Sequence, residues 1–172
     1  MVTDVLLFVS LVITNVFFTF SEDSEKINDS RKIELKYTTP YGWLHLEASR
    51  EGLVFLVPDD IQNARIILAA KPSRQNQSLK KQVSQWLEAI SYELPENDPT
   101  PLKTFPFGKT LGVFSTVQTN LYQEEVQVYY YFFNVENTTY LIVCYAYTDA
   151  LEEYLPVFDQ FIQSIRFKKK SI

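Results

Sequence analysis

The chain has 172 residues, 46% of them apolar and 22% charged, and its 16 basic and 21 acidic side chains leave a net charge of −5. That length suits one domain, and the balance is globular rather than disordered, with an acidic surplus that argues against nucleic acid as a partner. A single cysteine (Cys144), a single histidine (His45) and four glycines exclude an intrachain disulfide, a multi-cysteine zinc site, most triads and a phosphate-binding glycine loop, so no cofactor is implied.

The first segment stands apart. From Val5 to Phe20 (VLLFVSLVITNVFFTF) the chain is apolar except for Ser10, Thr14, Asn15 and Thr19, and it carries no charge. Sixteen such residues fall short of the about 20 that a bilayer span needs, and are close to the long end of a signal-peptide apolar region. Thr19-Phe20-Ser21 offers small residues at −3 and −1 of a cut, ahead of the acidic Glu22-Asp23-Ser24-Glu25. No Lys or Arg precedes the run. Residues 1–21 are therefore expected to be a signal peptide or, uncleaved, a membrane anchor. A polar spacer follows over 22–31, then a domain over 32–168 and a basic tail over 169–172.

Within the domain, Ile33 to Tyr37 alternates apolar and polar, the period of a half-buried strand. Trp43 to Ala48 alternates again and predicts Leu44, Leu46 and Ala48 inward, with Trp43, His45 and Glu47 outward. Ser49 to Gly52 turns the chain into a partner strand over Leu53–Val57, and Ala64–Ala70 reads as a more buried strand. Ser78 is placed to cap a helix whose apolar residues Leu79, Val83, Trp86, Leu87 and Ile90 form one stripe. After a proline-rich loop, four β segments follow at Lys103–Phe107, Leu111–Thr119, Glu125–Asn134 and Thr138–Thr148. Their connections are short enough to require antiparallel pairing. Asp149 is placed to cap a last helix with Leu151, Tyr154, Leu155, Phe158, Phe161, Ile162 and Ile165 on one face. Two amphipathic helices over an antiparallel sheet of six to seven strands predict an α+β layered domain.

Several of these stretches resemble a known group. The strand Tyr140–Tyr147, the helix start Tyr154-Leu155-Pro156-Val157-Phe158 and the ending Ile162-Gln163-Ser164-Ile165-Arg166-Phe167 resemble the PsbP-like superfamily. Pro40-Tyr41-Gly42-Trp43 is similar to its "P-x-G-W" approach to the first hairpin, and Ser78-Leu79 with Trp86 and Leu87 to its first long helix. That superfamily includes the PsbP subunit of photosystem II, the Mog-type Ran-binding proteins and many small bacterial secreted or lipid-anchored proteins. The resemblance implies an α/β/α sandwich and a non-catalytic binding or accessory role. The apolar start disfavours the nuclear Ran-binding branch, and the lack of an Arg- and Ser-rich leader disfavours a plant photosystem subunit. The secreted or membrane-tethered bacterial members match best.

Candidate chemistry is sparse. His45 has Glu47 two residues along the same face as an orienting partner, but no nucleophile accompanies them. Cys144 lies in the most apolar strand, where a thiol behaves as a small hydrophobe. Glu93, Glu96 and Asp98 cluster in the proline-rich region without the ligand order of a calcium loop. In Tyr129-Tyr130-Tyr131-Phe132-Phe133 the residues alternate, Tyr129, Tyr131 and Phe133 facing one way and Tyr130 and Phe132 the other. Because both helices have apolar stripes to cover, core on two sides is the favoured reading, and where a face is left bare Tyr129, Tyr131 and Phe133 form a candidate binding surface. Asn28, Asn76 and Asn137 are glycosylation sequons, relevant only in a eukaryotic secretory pathway. Residues 1–20, or Lys168, Lys169 and Lys170, are candidate membrane contacts.

The sequence thus points to a non-enzymatic exported or membrane-tethered accessory protein with a protein or envelope partner. The alternative is an extracytoplasmic enzyme using carboxylates or tyrosines in a sheet-edge cleft.

Overall fold

A computed structural model describes residues 5–19, 33–46, 53–59, 63–73, 77–94, 98–121 and 123–169. In chain order they form α1 (Val5–Thr19), β1 (Ile33–Lys36), β2 (Trp43–Leu46), β3 (Leu53–Pro58), β4 (Ala64–Pro72) and α2 (Leu79–Glu93). There follow β5 (Asp98–Pro99), β6 (Lys103–Phe107), β7 (Thr110–Leu121), β8 (Glu124–Val135), β9 (Thr138–Tyr147), α3 (Leu151–Ser164) and β10 (Arg166–Lys169). The main sheet is antiparallel, in the order β2-β3-β4-β9-β8-β7-β5, with β6 also paired to β7. A separate ribbon joins β1 to β10.

Strand alternation sorts the residues between two cores. On β9, Leu141, Val143 and Tyr145 face one layer while Tyr140, Ile142, Cys144 and Ala146 face the other. On β8, Val126, Val128, Tyr130 and Phe132 join the first, and Tyr129, Tyr131 and Phe133 the second. Helices α1 and α2 cover the first face and α3 the second. The result is the expected α/β/α sandwich, its main sheet among the described residues a path of seven strands with the short β6 paired beside β7.

Helix α2 forms as its stripe predicts. Ser78 Oγ accepts a hydrogen bond from the Lys81 backbone N–H at 3.3 Å, and Val83, Trp86, Leu87 and Ile90 are buried. Trp86 meets Tyr130 and Phe132 edge-on, at centroid distances of 5.1 and 5.0 Å. Helix α3 buries Tyr154, Phe158 and Phe161. It follows a 3₁₀ turn over Thr148–Ala150 without a side-chain cap, so Asp149 is not its cap, and Pro156 lies in its second turn.

Three expectations change. The apolar N-terminal run does not stand apart: α1 lies in the first core, with Leu6, Val9, Ile13 and Phe17 fully buried. Pattern reading misses this because a helix apolar all round shows no polar face by which to recognise docking. On β2 Trp43 and the leucines exchange places, since Trp43 is buried against Tyr154 and Phe158 while Leu44 and Leu46 are exposed; His45 is exposed as expected. As an edge strand, β2 aims its large indole at α3 and leaves its smaller leucines outside. The lysines at the end are not all tail, because Lys168 and Lys169 belong to β10, in register with Glu34 and Ile33. Lys170 and the proposed spacer lie outside the described residues.

Candidate functional site

The aromatic run on β8 is divided between core and partly open surface. Phe133 is fully buried, stacked on Phe107 at 4.4 Å and on Tyr140 at 5.3 Å, so it is core and not surface. Tyr129 and Tyr131 are only half-buried, because α3 lies over β9 and leaves the β7 side of the sheet less covered. Phe114 on β7 approaches Tyr131 at 4.9 Å and Tyr129 at 6.3 Å, and Phe105 on β6 meets Tyr131 edge-on at 5.6 Å. Four half-buried rings thus make a continuous row beside Tyr129's neighbour Phe158 of α3.

Gly112 makes this close approach possible. A Cβ there would meet the Phe105 ring and stand 2.9 Å from the Phe132 carbonyl oxygen. Burial raises the phenol pKa values of Tyr129 and Tyr131, and the Asp159 carboxylate raises both further. Both phenols therefore stay protonated, as neutral donors on an apolar floor.

At one end the row runs into a cleft of about 1050 Å³ between the β6–β7 turn, the β8–β9 turn and the end of α3. Phe105, Phe107, Ile162, Ile165 and Phe167 wall it, and Lys109, Glu136, Gln163 and Arg166 stand around it. Arg166 Nη1 donates to the carbonyls of Gln163 and Ile165 at 2.6 and 2.7 Å, which fixes the guanidinium at the C-terminal end of α3. Such a surface grips apolar or aromatic groups by stacking and burial. The sequence reading found Tyr129 and Tyr131 but missed Phe105, Phe114 and Phe167. The alternation of Phe105 and Phe107 in KTFPF is the signal that places these two on one face.

The remaining candidates lie elsewhere. His45 is exposed, with Nε2 2.9 Å from Thr39 Oγ1 and its ring stacked on Tyr37. Glu47, Glu96, Asn28 and Asn76 lie outside the described residues. Cys144 is fully buried, and burial first, then Asp159, pushes its thiol pKa well up. Glu93 and Asn137 are exposed. Among the described residues no group of three or more His, Cys, Asp or Glu side chains is arranged to hold a metal.

No protein-family model matches the sequence, and no curated protein matches it either. Solved structures do match in fold. LpqN of Mycobacterium tuberculosis, involved in cell envelope biogenesis, superposes with a TM-score of 0.63 at 12% identity over 82% of this chain and 87% of its own. The cyanobacterial PsbP of Synechocystis gives 0.58 at 8% identity, over 86% and 99%. The Ran-binding protein Mog1p of Saccharomyces cerevisiae gives 0.56 at 10% identity, over 77% and 89%. With the same antiparallel sheet between helical layers, this chain has the PsbP/Mog-like fold.

Proposed function

We propose that this chain is a non-enzymatic accessory protein, exported or tethered to the cytoplasmic membrane, which holds a protein or envelope partner on its row of half-buried rings. The observation that carries the reading is the incomplete cover of α3, which leaves Phe105, Phe114, Tyr129 and Tyr131 half-open on a rigid sheet. Tyr and Phe supply contact area at low entropy cost, and a sheet holds them in place before the partner arrives. The neighbours add support of a general kind, since one is described by a role in the cell envelope and another by binding Ran. Export rests on the charge-free run Val5–Phe20 and the acidic residues after Ser21.

The test of compartment is a C-terminal alkaline phosphatase fusion, which is active only outside the cytoplasm. The reading expects activity from the full-length fusion and none from a fusion lacking residues 1–21. An inactive full-length fusion that is stably made refutes export.

A further inference from the structure

The three helices differ in what they turn to solvent. Helix α2 exposes Lys80, Lys81, Ser84 and Glu88, and α3 exposes Glu152, Glu153, Asp159 and Gln163, as helices docked on a soluble domain do. Helix α1 does not follow them. Its inner residues Leu6, Val9, Ile13 and Phe17 are buried, yet its outer line begins with Leu7, 47% exposed, and Leu11, 50% exposed. Phe8, Val12 and Val16 flank that line half-buried, and Asn15 ends it. No charge occurs between Asp4 and Glu22.

The helix is also fastened. Tyr145 Oη donates to the Leu6 carbonyl at 2.9 Å and is hydrogen-bonded to Ser10 Oγ. Lys71 Nζ donates to the Phe17 carbonyl at 2.8 Å and lies 4.3 Å from the centre of that ring. Ser10 shares its one proton between the Leu6 carbonyl, at 2.8 Å, and Tyr145 Oη, and Thr14 returns its hydroxyl to the Ser10 carbonyl at 2.8 Å, so neither seeks water. The two ends are thus tied to β9 and β4. At 15 residues the helix is about 22 Å long, less than the about 30 Å of a hydrocarbon core. Among the described residues no helix is long and apolar enough to cross a membrane.

We propose that α1 stays docked on the sheet and lays its Leu7–Leu11 face on a lipid bilayer, as an interfacial helix whose opposite face is supplied by the domain itself. Hydrocarbon is the occupant that asks for no charge and no hydrogen bond from the surface it covers, and this face offers neither until Asn15. The proposal rests on the membrane-tethered form of the reading above and names lipid as what the tether touches.

The test is flotation of the full chain, N-terminus intact, with neutral phosphatidylcholine vesicles. Neutral lipid keeps attraction to the C-terminal lysines from contributing. The wild type should float. Leu7→Gln with Leu11→Gln should lower the bound-to-free ratio at least about tenfold while leaving the thermal transition in place. Tyr41→Gln, a fully exposed ring in the turn between β1 and β2, should leave the ratio within about twofold. A wild type that stays in solution, equal flotation of the α1 variant, or a solution dimer broken by that variant would each overturn the proposal. So would native protein whose chain begins near Glu22, a result that leaves export standing. An inactive phosphatase fusion with flotation intact would sink export and leave the lipid contact in place.

Discussion

Replacing Phe161 with alanine tests the packing of α3 on the sheet. Phe161 is 1% exposed, lies on the inner stripe with Phe158 and Ile165, and meets the Tyr37 ring at a centroid distance of 5.5 Å. Truncating a fully buried phenylalanine removes its transfer free energy and leaves a cavity, together about 3–5 kcal/mol. The lost ring pair belongs within that figure rather than on top of it. A domain of this size holds about 5–15 kcal/mol in total, so the variant should fold but melt at a much lower denaturant concentration. Urea unfolding of the full chain, followed by tryptophan fluorescence, reads this directly, with Trp43 under α3 and Trp86 on the buried face of α2 as reporters. Gln163→Ala, exposed on the same helix, should stay within about 0.5 kcal/mol of wild type. If Phe161→Ala shifts stability by less than about 1 kcal/mol at an unchanged slope, α3 does not close the second core and the argument fails.

Three further outcomes follow from single contacts. Tyr145→Phe removes the donor to the Leu6 carbonyl and the partner of Ser10, and should cost about 1–3 kcal/mol. Hydrogen exchange should quicken over residues 5–19 more than over α2, and uniform quickening would count against a local tie. Gly112→Ala should lower stability by about 1–3 kcal/mol, because the Phe132 carbonyl is backbone and cannot swing away as the Phe105 ring can. An unchanged melting temperature would contradict that packing. For Cys144, burial raises the folded pKa above the ordinary 9.0, so above about pH 9 the unfolded chain gives up a proton that the folded chain keeps. Stability should be full below pH 9 and decline above it, by at most about 1.4 kcal/mol per pH unit for this group. In Cys144→Ala the decline should begin nearer pH 10, where the tyrosines with raised pKa take over. An identical alkaline profile would mean that the thiol is not the group responsible.

Much of this architecture is legible in residue order. The α2 stripe appears because Leu79, Val83, Trp86, Leu87 and Ile90 recur at helical spacing behind a serine cap, and the structure buries the last four. The hairpins of β6 to β9 are legible because turns such as Gly108-Lys109 and Glu136-Asn137 punctuate long alternating strands. What escapes is long-range. Nothing local in Arg166–Lys169 says that it pairs with Ile33–Lys36, because that partner lies at the other end of the domain. The exchange on β2 depends on which helix finds Trp43, a tertiary fact that its four residues cannot carry. Helix α1 escapes for a different reason: an apolar run without a polar face looks the same whether it leaves the domain or docks on it. The half-open aromatic row is visible as Tyr129 and Tyr131, but its breadth across β6 and β7 needs the register Phe114↔Tyr131.

The most direct test of a partner-binding role is site-specific photo-crosslinking in living cells. A photoreactive phenylalanine analogue in place of Phe114 puts the probe in the aromatic row, and the same analogue in place of Tyr92, 83% exposed on α2, serves as the control. The account predicts a discrete adduct in the envelope fraction from position 114 and none from position 92. No adduct from 114, or the same adducts from both positions, would contradict it.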